Sequence, residues 1–382
     1  MAEPNGSVGS GAVIDRSFWD GRRVLVTGHT GFKGAWLSLW LQSLGARVTG
    51  LSDRVLPPPS LYDVAGVGAG MQTHWVDIRD ADALARAVRA CEPEIVLHLA
   101  AQSLVRTSLE QPRLTFEANV MGTVHLLEAV RTTPGVQVAI VVTSDKCYDN
   151  SDPDRSHPDS DPMGGNDPYA SSKGCAELVT AAYRTSYFAT DATADGADVP
   201  CRIATARAGN VIGGGDWSRD RLVPDAMRAT LAGGRLEVRN PESIRPWQHV
   251  LNPLGGYLLL AQHLWTRPDL AGGWNFGPDD DSMISVGSLL ELVAARWPGT
   301  FAWHRDDGPH PAEERSLRID SSHTQQALGW RPAWNLADGI AALVAWYEAY
   351  RDGAPMGDVT LAQIAEFERR MVAASPAPPT GP

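Results

Sequence analysis

The 382-residue chain is short of cysteine, of basic charge and of long apolar runs, and each shortage removes a class of protein. Four cysteines, at positions 91, 147, 175 and 201, show no C-x-x-C spacing and are too few to staple a chain of this length. Free thiols and a cytoplasmic setting are therefore expected. A net charge of -12 without a Lys/Arg-rich face argues against a nucleic-acid partner, because phosphate would be repelled at long range. No apolar run approaches the roughly eighteen residues of a membrane span, so the protein is expected to be soluble, with no membrane partner. No two histidines share a ligand spacing with a cysteine or carboxylate, and no metal is expected. There is no internal repeat. Residues 1–17 are small and polar, with neither a basic start nor an apolar stretch, and read as a flexible tail rather than a leader. The Pro- and Ala-rich residues 373–382 read as a second tail.

What remains is a globular chain, 43% hydrophobic and long enough for a sizeable core. Its first half alternates short β-branched runs, at 23–27, 47–51, 74–77, 95–99, 138–142 and 203–206, with amphipathic helical stretches. That rhythm predicts an α/β fold, a Rossmann-type doubly wound parallel sheet flanked by helices. After about residue 208 the rhythm breaks into a glycine triplet, a helix near 224–232, a short strand near 236–239 and scattered Trp and Pro. This predicts a smaller, discontinuous α/β substrate lobe from 208–246 and 273–350. The dinucleotide-binding domain would take 18–207 and, because 254–265 is apolar enough to pack back on it, about 247–272.

Gly28, Gly31 and Gly34, in Thr27-Gly28-His29-Thr30-Gly31-Phe32-Lys33-Gly34, follow the first strand and open a helix. A glycine there permits a tight turn, a second lets backbone approach a pyrophosphate, and a third lets helix pack on strand, with the helix N-terminus facing the anion. His29 and Lys33 could add positive charge beside the phosphates. The second strand ends in Ser52-Asp53-Arg54, where Asp53 favours NAD through the ribose and Arg54 would tolerate NADP. Asp77 and Ile78 end the third strand, within reach of an adenine amino group.

Tyr169 and Lys173 stand four apart, on one face of a predicted helix. A phenol acting as base near neutrality needs its pKa lowered by about 3 units, and a neighbouring ammonium and an oxidised nicotinamide both push that way. Thr143, Ser144, Asp145 and Lys146 lie at the end of the 138–142 strand. A Tyr–Lys pair alone removes no water, whereas Asp145 and Lys146 supply an acid and a base. Lys146 can act as a base only when neutral, and Asp145 would hold its proton on; otherwise it orients Asp145 or a phosphate.

Over roughly residues 18–348 the chain resembles the extended short-chain dehydrogenase/reductase family of nucleotide-sugar enzymes. The resemblance rests on the glycine phrase, Asp77-Ile78-Arg79-Asp80, Leu99-Ala100-Ala101-Gln102, Asn119-Val120-Met121-Gly122-Thr123, Tyr169 with Lys173, Arg207-Ala208-Gly209-Asn210-Val211 and Arg245-Pro246-Trp247-Gln248-His249-Val250. It implies that Phe32, Leu99, Ala100, Ala101, Gln102, Asn119 and Thr143 join the cofactor site, with NAD tightly bound and regenerated each turnover. The phrases Gly-His-Thr-Gly-Phe-Lys-Gly, Thr-Ser-Asp-Lys-Cys-Tyr and Gly-Gly-Gly-Asp-Trp point within the family to 4,6-dehydration of a nucleotide-diphosphate hexose, CDP-D-glucose above others.

The implied steps are oxidation at carbon 4 by Tyr169, bridged by Ser144 and supported by Lys173, loss of water through Lys146 and Asp145, and hydride return to carbon 6. Ser103, Arg106, Asn210, Arg245 and His310 are candidate substrate contacts. A homodimer is implied through a four-helix bundle from about 117–131 and 168–188, with Leu126, Val130, Leu178 and Ala182 at the seam. A 4-epimerase is the alternative reading, since it uses the same Tyr and Lys, as is a dehydratase for another nucleotide sugar. Two departures bear on specificity. Residues 150–161 replace a stretch of Trp, aromatic and Glu residues, and the family Asp falls at the position of Arg54.

Overall fold

Seven parallel strands form the main sheet in the computed structural model, which describes residues 13–152, 155–188, 201–306, 308 and 316–374. They are β1 (Arg23–Thr27), β2 (Arg47–Ser52), β3 (Gln72–Trp75), β4 (Ile95–His98), β5 (Val138–Val142), β6 (Arg202–Arg207) and β7 (Gly273–Asn275), in spatial order β7-β6-β5-β4-β1-β2-β3. Val24 lies opposite both Val48 of β2 and Ile95 of β4, so β1 is the centre from which the chain winds first one way and then the other. A crevice opens at that reversal, at the carboxyl ends of β1 and β4.

The runs are apolar throughout because both sheet faces are covered, and alternate residues feed two cores. Val24, Val26, Ile95, Leu97, Val138 and Ile140 meet Trp36, Trp40, Tyr257, Phe276 and Trp346, while Leu25, Val96, Ala139 and Val141 meet Leu84, Val88, Leu126, Leu127 and Val130. The helix Phe32–Ser43 is buried over nearly its whole circumference, as its even spread of apolar residues requires. Trp36 donates to the Gly214 carbonyl at 3.0 Å and Trp40 to Glu368 at 2.7 Å. These bonds fix the helix against the glycine triplet and the C-terminal helix Met356–Ala374.

Outside the main sheet, three short strand pairs join Val211–Ile212 to Gln248–His249, Ile244–Pro246 to Met283–Ser285 and Leu236–Val238 to Trp303–Arg305. Strand β7 falls just past the expected boundary at 272, in the segment assigned to the second lobe. Its Gly-Trp-Asn sequence is too short and too polar to read as a strand, and it is held by pairing with Thr205, Ala206 and Arg207 of β6.

Three expectations need correction. Residues 13–17 are packed rather than a tail: Ile14 is buried, Asp15 caps the helix Arg16–Trp19, and Arg16 pairs with Glu368 at 2.7 Å. Residues 373 and 374 complete the last helix, and the remainder of both expected tails lies outside the described residues. Leu126 and Val130 face the protomer's own core, because their helix Gly122–Arg131 turns that stripe onto the sheet. Leu178 and Ala182 are exposed.

Candidate active site

The glycine turn is built for close approach. Gly28 has φ +75°, and a side chain on it would meet the Ala100 backbone nitrogen at 2.7 Å; one on Gly34 would run into the Gly28 carbonyl. Gly31 caps the helix without a side chain, leaving the first backbone N–H groups free to face an anion. This cradle, which any β-carbon would fill, fits a dinucleotide pyrophosphate.

His29 does not contribute charge there. Its ring is buried between β2 and β3, with Nδ1 at 3.1 Å from Ser52 Oγ and Nε2 at 3.3 Å from Thr73 Oγ1, and burial pushes it down to about 4. It is neutral near pH 7 and acts as a spacer. Ser52 is likewise engaged, with His29 and with Thr30 Oγ1 at 3.2 Å. Asp53 and Arg54 remain solvent-facing and form a loose pair at 3.6 Å. Asp77 is held ionised by Arg79, whose guanidinium grips it, and Ile78 is buried against Gly122.

Beyond β4, the Leu99 and Ala100 amides bond to Thr27, and Ala101 leads into Gln102. Asn119 brackets Gln102 by accepting from its amide at 2.8 Å and donating to its carbonyl at 2.9 Å, and also donates to Ser172 at 2.8 Å. Asn119 sits in a single wide turn, Glu117–Met121, an irregularity that aims its side chain at the loop. Gln102 and Asn119 thus shape the cofactor loop and join it to the Tyr169 helix.

The reactive groups gather at the end of β5. Ser144 donates to Asp145 Oδ1 at 2.9 Å and receives the Lys146 amide at 3.2 Å, and its hydroxyl bears on the Tyr169 phenol. Asp145 is buried and packed over Gly209; Lys146 is half-buried. Tyr169 and Lys173 share the inner face of the helix Pro168–Tyr187, started by Pro168 and capped by Asp167. Burial raises the Tyr169 phenol above its ordinary value, with Ser144 and Arg221 opposing and Asp145 reinforcing the rise. Lys173 donates to the Val142 carbonyl at 3.2 Å, and burial pushes it down to about 8 against the pull of Glu177.

Thr143 turns away from the crevice. Its hydroxyl bonds to Glu177, which also receives Thr205 and Arg207, so it belongs to a buried polar layer behind the strand ends. Its assignment to the cofactor is corrected for that reason, since an adjacent residue on a strand end faces the opposite way.

Lys33 is partly buried at the glycine turn, and burial pushes its amine down to about 8, with Arg221 adding to the fall, Asp145 opposing it and Lys173 adding again. Lys33, Lys146 and Lys173 are the only three lysines in the sequence, and all lie at the carboxyl edge of the sheet.

Among the substrate candidates, Ser103 is bonded by Arg221 at 3.1 Å, and Arg106 pairs with Asp220 at 2.9 Å in solvent. Asn210 accepts the Gln248 amide on its carbonyl, and Arg245 is buried, donating to the Ile244 carbonyl. His310 lies outside the described residues.

The sequence reading missed Arg221, His98 and Tyr257. Arg221 precedes the helix Leu222–Leu231, lies 3.6 Å from Asp216, and its charge reaches Tyr169 and Lys33. A cation opening a helix just past the glycine triplet was the available signal. His98, at 2.7 Å from Thr27 Oγ1, is pushed down to about 3 by burial and then by the Lys173 charge. The Tyr257 phenol is fully buried beside Asp145 and Tyr169, a place no local pattern signals. Among the described residues no group of three His, Cys, Asp or Glu side chains could hold a metal, and no helix is long and apolar enough to cross a membrane.

A doubly wound sheet with a glycine cradle at its switch point, and a tyrosine and lysine four apart facing it, defines a dinucleotide-dependent enzyme of the short-chain dehydrogenase/reductase type. Residues 24–269 match the NAD dependent epimerase/dehydratase family, and the chain belongs to it; NAD is the family's cofactor. It is 44% identical over 356 residues to CDP-glucose 4,6-dehydratase of Salmonella typhimurium, covering 93% of this chain and 98% of that protein. It is 32% identical to dTDP-glucose 4,6-dehydratase of Streptomyces griseus, over 71% of this chain and 76% of that one. Its fold superposes on the UDP-glucose 4-epimerase of Thermus thermophilus, solved with NAD, at a TM-score of 0.71 and 26% identity, covering 85% of this chain and 99% of the other. The chain is thus an enzyme homologous to sugar-nucleotide 4,6-dehydratases.

Proposed function

We propose that the chain dehydrates CDP-D-glucose to CDP-4-keto-6-deoxy-D-glucose. The observation that carries this reading is the turn after β5, where the Ser144 hydroxyl donates to the buried Asp145 side chain and also bears on the buried Tyr169 phenol. A base for oxidation and an acid for elimination then address one bound hexose, an arrangement that a 4-epimerase does not need.

NAD, when bound, supplies the hydride acceptor for carbon 4 and the donor for carbon 6; the glycine turn, Asp53 and Asp77 would hold it, while Gln102 and Asn119 set the loop it lies on. Tyr169 takes the proton of the 4-hydroxyl through Ser144. Lys173, on the same inner helix face, favours the phenolate in its charged form. A ketone at carbon 4 acidifies the carbon 5 hydrogen, which the free amine of Lys146 removes while the protonated Asp145 carboxyl gives its proton to the 6-hydroxyl, which leaves as water. Ser103, Arg106, Asn210, Arg245 and Arg221 are assigned to the sugar diphosphate, the arginines through paired bonds to phosphate oxygens.

The protein would work in the cytoplasm as a homodimer. Leu109, Phe116, Met121, Leu178 and Tyr187 are exposed apolar residues on the helices between 105 and 131 and on Pro168–Tyr187, the face that a partner's helices would cover. The assignment is tested by incubating purified protein with CDP-D-glucose and following the alkali-induced absorbance of a 4-keto-6-deoxy product. An unchanged or galacto-configured sugar would sink it.

A further inference from the structure

The turn that carries Ser144, Asp145 and Lys146 is tied at both ends to one buried ion pair. On its N-terminal side the Thr143 hydroxyl donates to Glu177 Oε1. On its C-terminal side the Tyr148 hydroxyl receives Arg207 Nη1 at 2.6 Å and donates to Asn275 Oδ1 at 2.7 Å. Glu177 and Arg207 join at 2.7 Å with both side chains about 5% exposed, and Thr205 adds a further bond to Glu177 at 2.7 Å. Arg207 also donates to the Asp159 carbonyl at 2.7 Å, and Asp159 receives the Asn275 amide at 2.7 Å, closing a ring of polar contacts. The layer joins the Tyr169 helix, β5, β6, β7 and the 157–161 segment behind the crevice.

Such a pair is costly to bury, and a well-packed apolar pair of the same shape would often be as stable, so stability alone is a weak reason for its presence. Position supplies a stronger one. Glu177 lies one helical turn beyond Lys173, on the same inner face. We propose that Glu177 and Arg207 are positioning residues for the dehydration assigned above: they clamp the Ser144–Asp145–Lys146 turn from both flanks, and the Glu177 carboxylate supplies the counter-charge beneath Lys173.

Groups on four elements bear on Lys173: Glu177 on its own helix, Cys147 on the turn, His98 at the end of β4 and Lys33 at the glycine turn. Glu177 favours the charged amine; Cys147, which burial keeps as a neutral thiol, adds no charge, and the two nitrogen bases, Lys33 and His98, do not favour it. Removing the Glu177 charge lowers the Lys173 titration midpoint, so any activity that needs the ammonium fails at a lower pH.

The test uses the sequence's economy of lysine. Lysine labelled at its ε-carbon gives three side-chain signals, assigned through Lys33→Arg and Lys146→Arg, and the Lys173 midpoint is read by NMR titration of the full chain without substrate. Glu177→Gln keeps the shape and is expected to lower that midpoint by about one pH unit, tenfold in proton affinity. The alkaline limb of the kcat profile should move with it while KM for CDP-D-glucose holds. Thr143→Val, which leaves both charges in place, should leave the midpoint unmoved but lower kcat about tenfold by releasing the turn. Glu177→Asp should restore the midpoint and not the full kcat.

An unshifted midpoint in Glu177→Gln overturns the electrostatic role. A Thr143→Val variant with full kcat per folded molecule overturns the clamp. Should Glu177→Gln fail to fold, the double variant Glu177→Gln/Arg207→Met removes both buried charges and carries the same midpoint comparison. Because the titration needs no substrate, an inactive parent chain would count against the assigned reaction and leave the midpoint to decide the pair's role.

Discussion

The proposed reaction assigns Asp145 and Tyr169, on either side of Ser144, to different bonds, so their variants should separate in time. Asp145→Asn is expected to slow loss of water by at least about a hundredfold, within the range of a general acid's contribution, while cofactor reduction on adding substrate stays fast. Single-turnover absorbance measures both phases, and equal losses would contradict the division of roles. Tyr169→Phe should abolish the first phase, and normal cofactor reduction would refute its role as base. The residue types and their spacing singled out both residues in the sequence, and both are buried at the carboxyl edge of the sheet. His29 and Thr143 were misplaced because residue type does not say which way a side chain turns. One stands between two strands and the other behind β5.

At the scale of elements, the glycine turn and the helix it opens were readable because the constraint is local: a positive φ, a close carbonyl and an uncapped helix start lie within seven residues. Gly34→Ala would press a methyl group into the Gly28 carbonyl and shift the helix start. The expected cost is about 1–3 kcal/mol of stability, as for other overpacked sites, with a fall in NAD affinity of at least tenfold. Calorimetric titration with NAD checks this, and unchanged affinity would detach the turn from the cofactor. By contrast, β7 depends on pairing with β6 across the sheet and left no pattern of its own.

At the scale of the whole molecule, and among the described residues, burial pushes three histidines well down: His29 to about 4, His98 and His249 to about 3. Each value lies below the ordinary 6.5, so the unfolded chain takes up protons first as pH falls. Their contribution is fully present above about pH 6.5 and is lost on acidification. The expected loss at pH 5 is on the order of 2 kcal/mol per histidine, read by urea unfolding at pH 7 and 5; equal stability at the two would contradict it. Assembly is the second property at this scale. For the proposed homodimer, Leu178→Asp on the exposed helix face should yield a monomer by sedimentation where the parent chain sediments as a dimer, and an intact dimer would place the interface elsewhere. The helix faces themselves were only half legible, since Leu126 and Leu178 are both apolar but one is buried in the protomer and the other exposed.

The sequence by itself determined the six longer strands, although β3 ends at Trp75 and leaves Asp77 and Ile78 in the loop beyond it, and it determined the glycine turn and the shared face of Tyr169 and Lys173, because each is set by spacings of a few residues. Only the tertiary structure decided that Thr143 belongs to Glu177, that Arg207 reaches Tyr148 from 59 positions away, and that Arg221 bears on Tyr169. Those pairings join residues far apart in the chain, and burial, by removing competing water, is what makes each of them strong enough to matter.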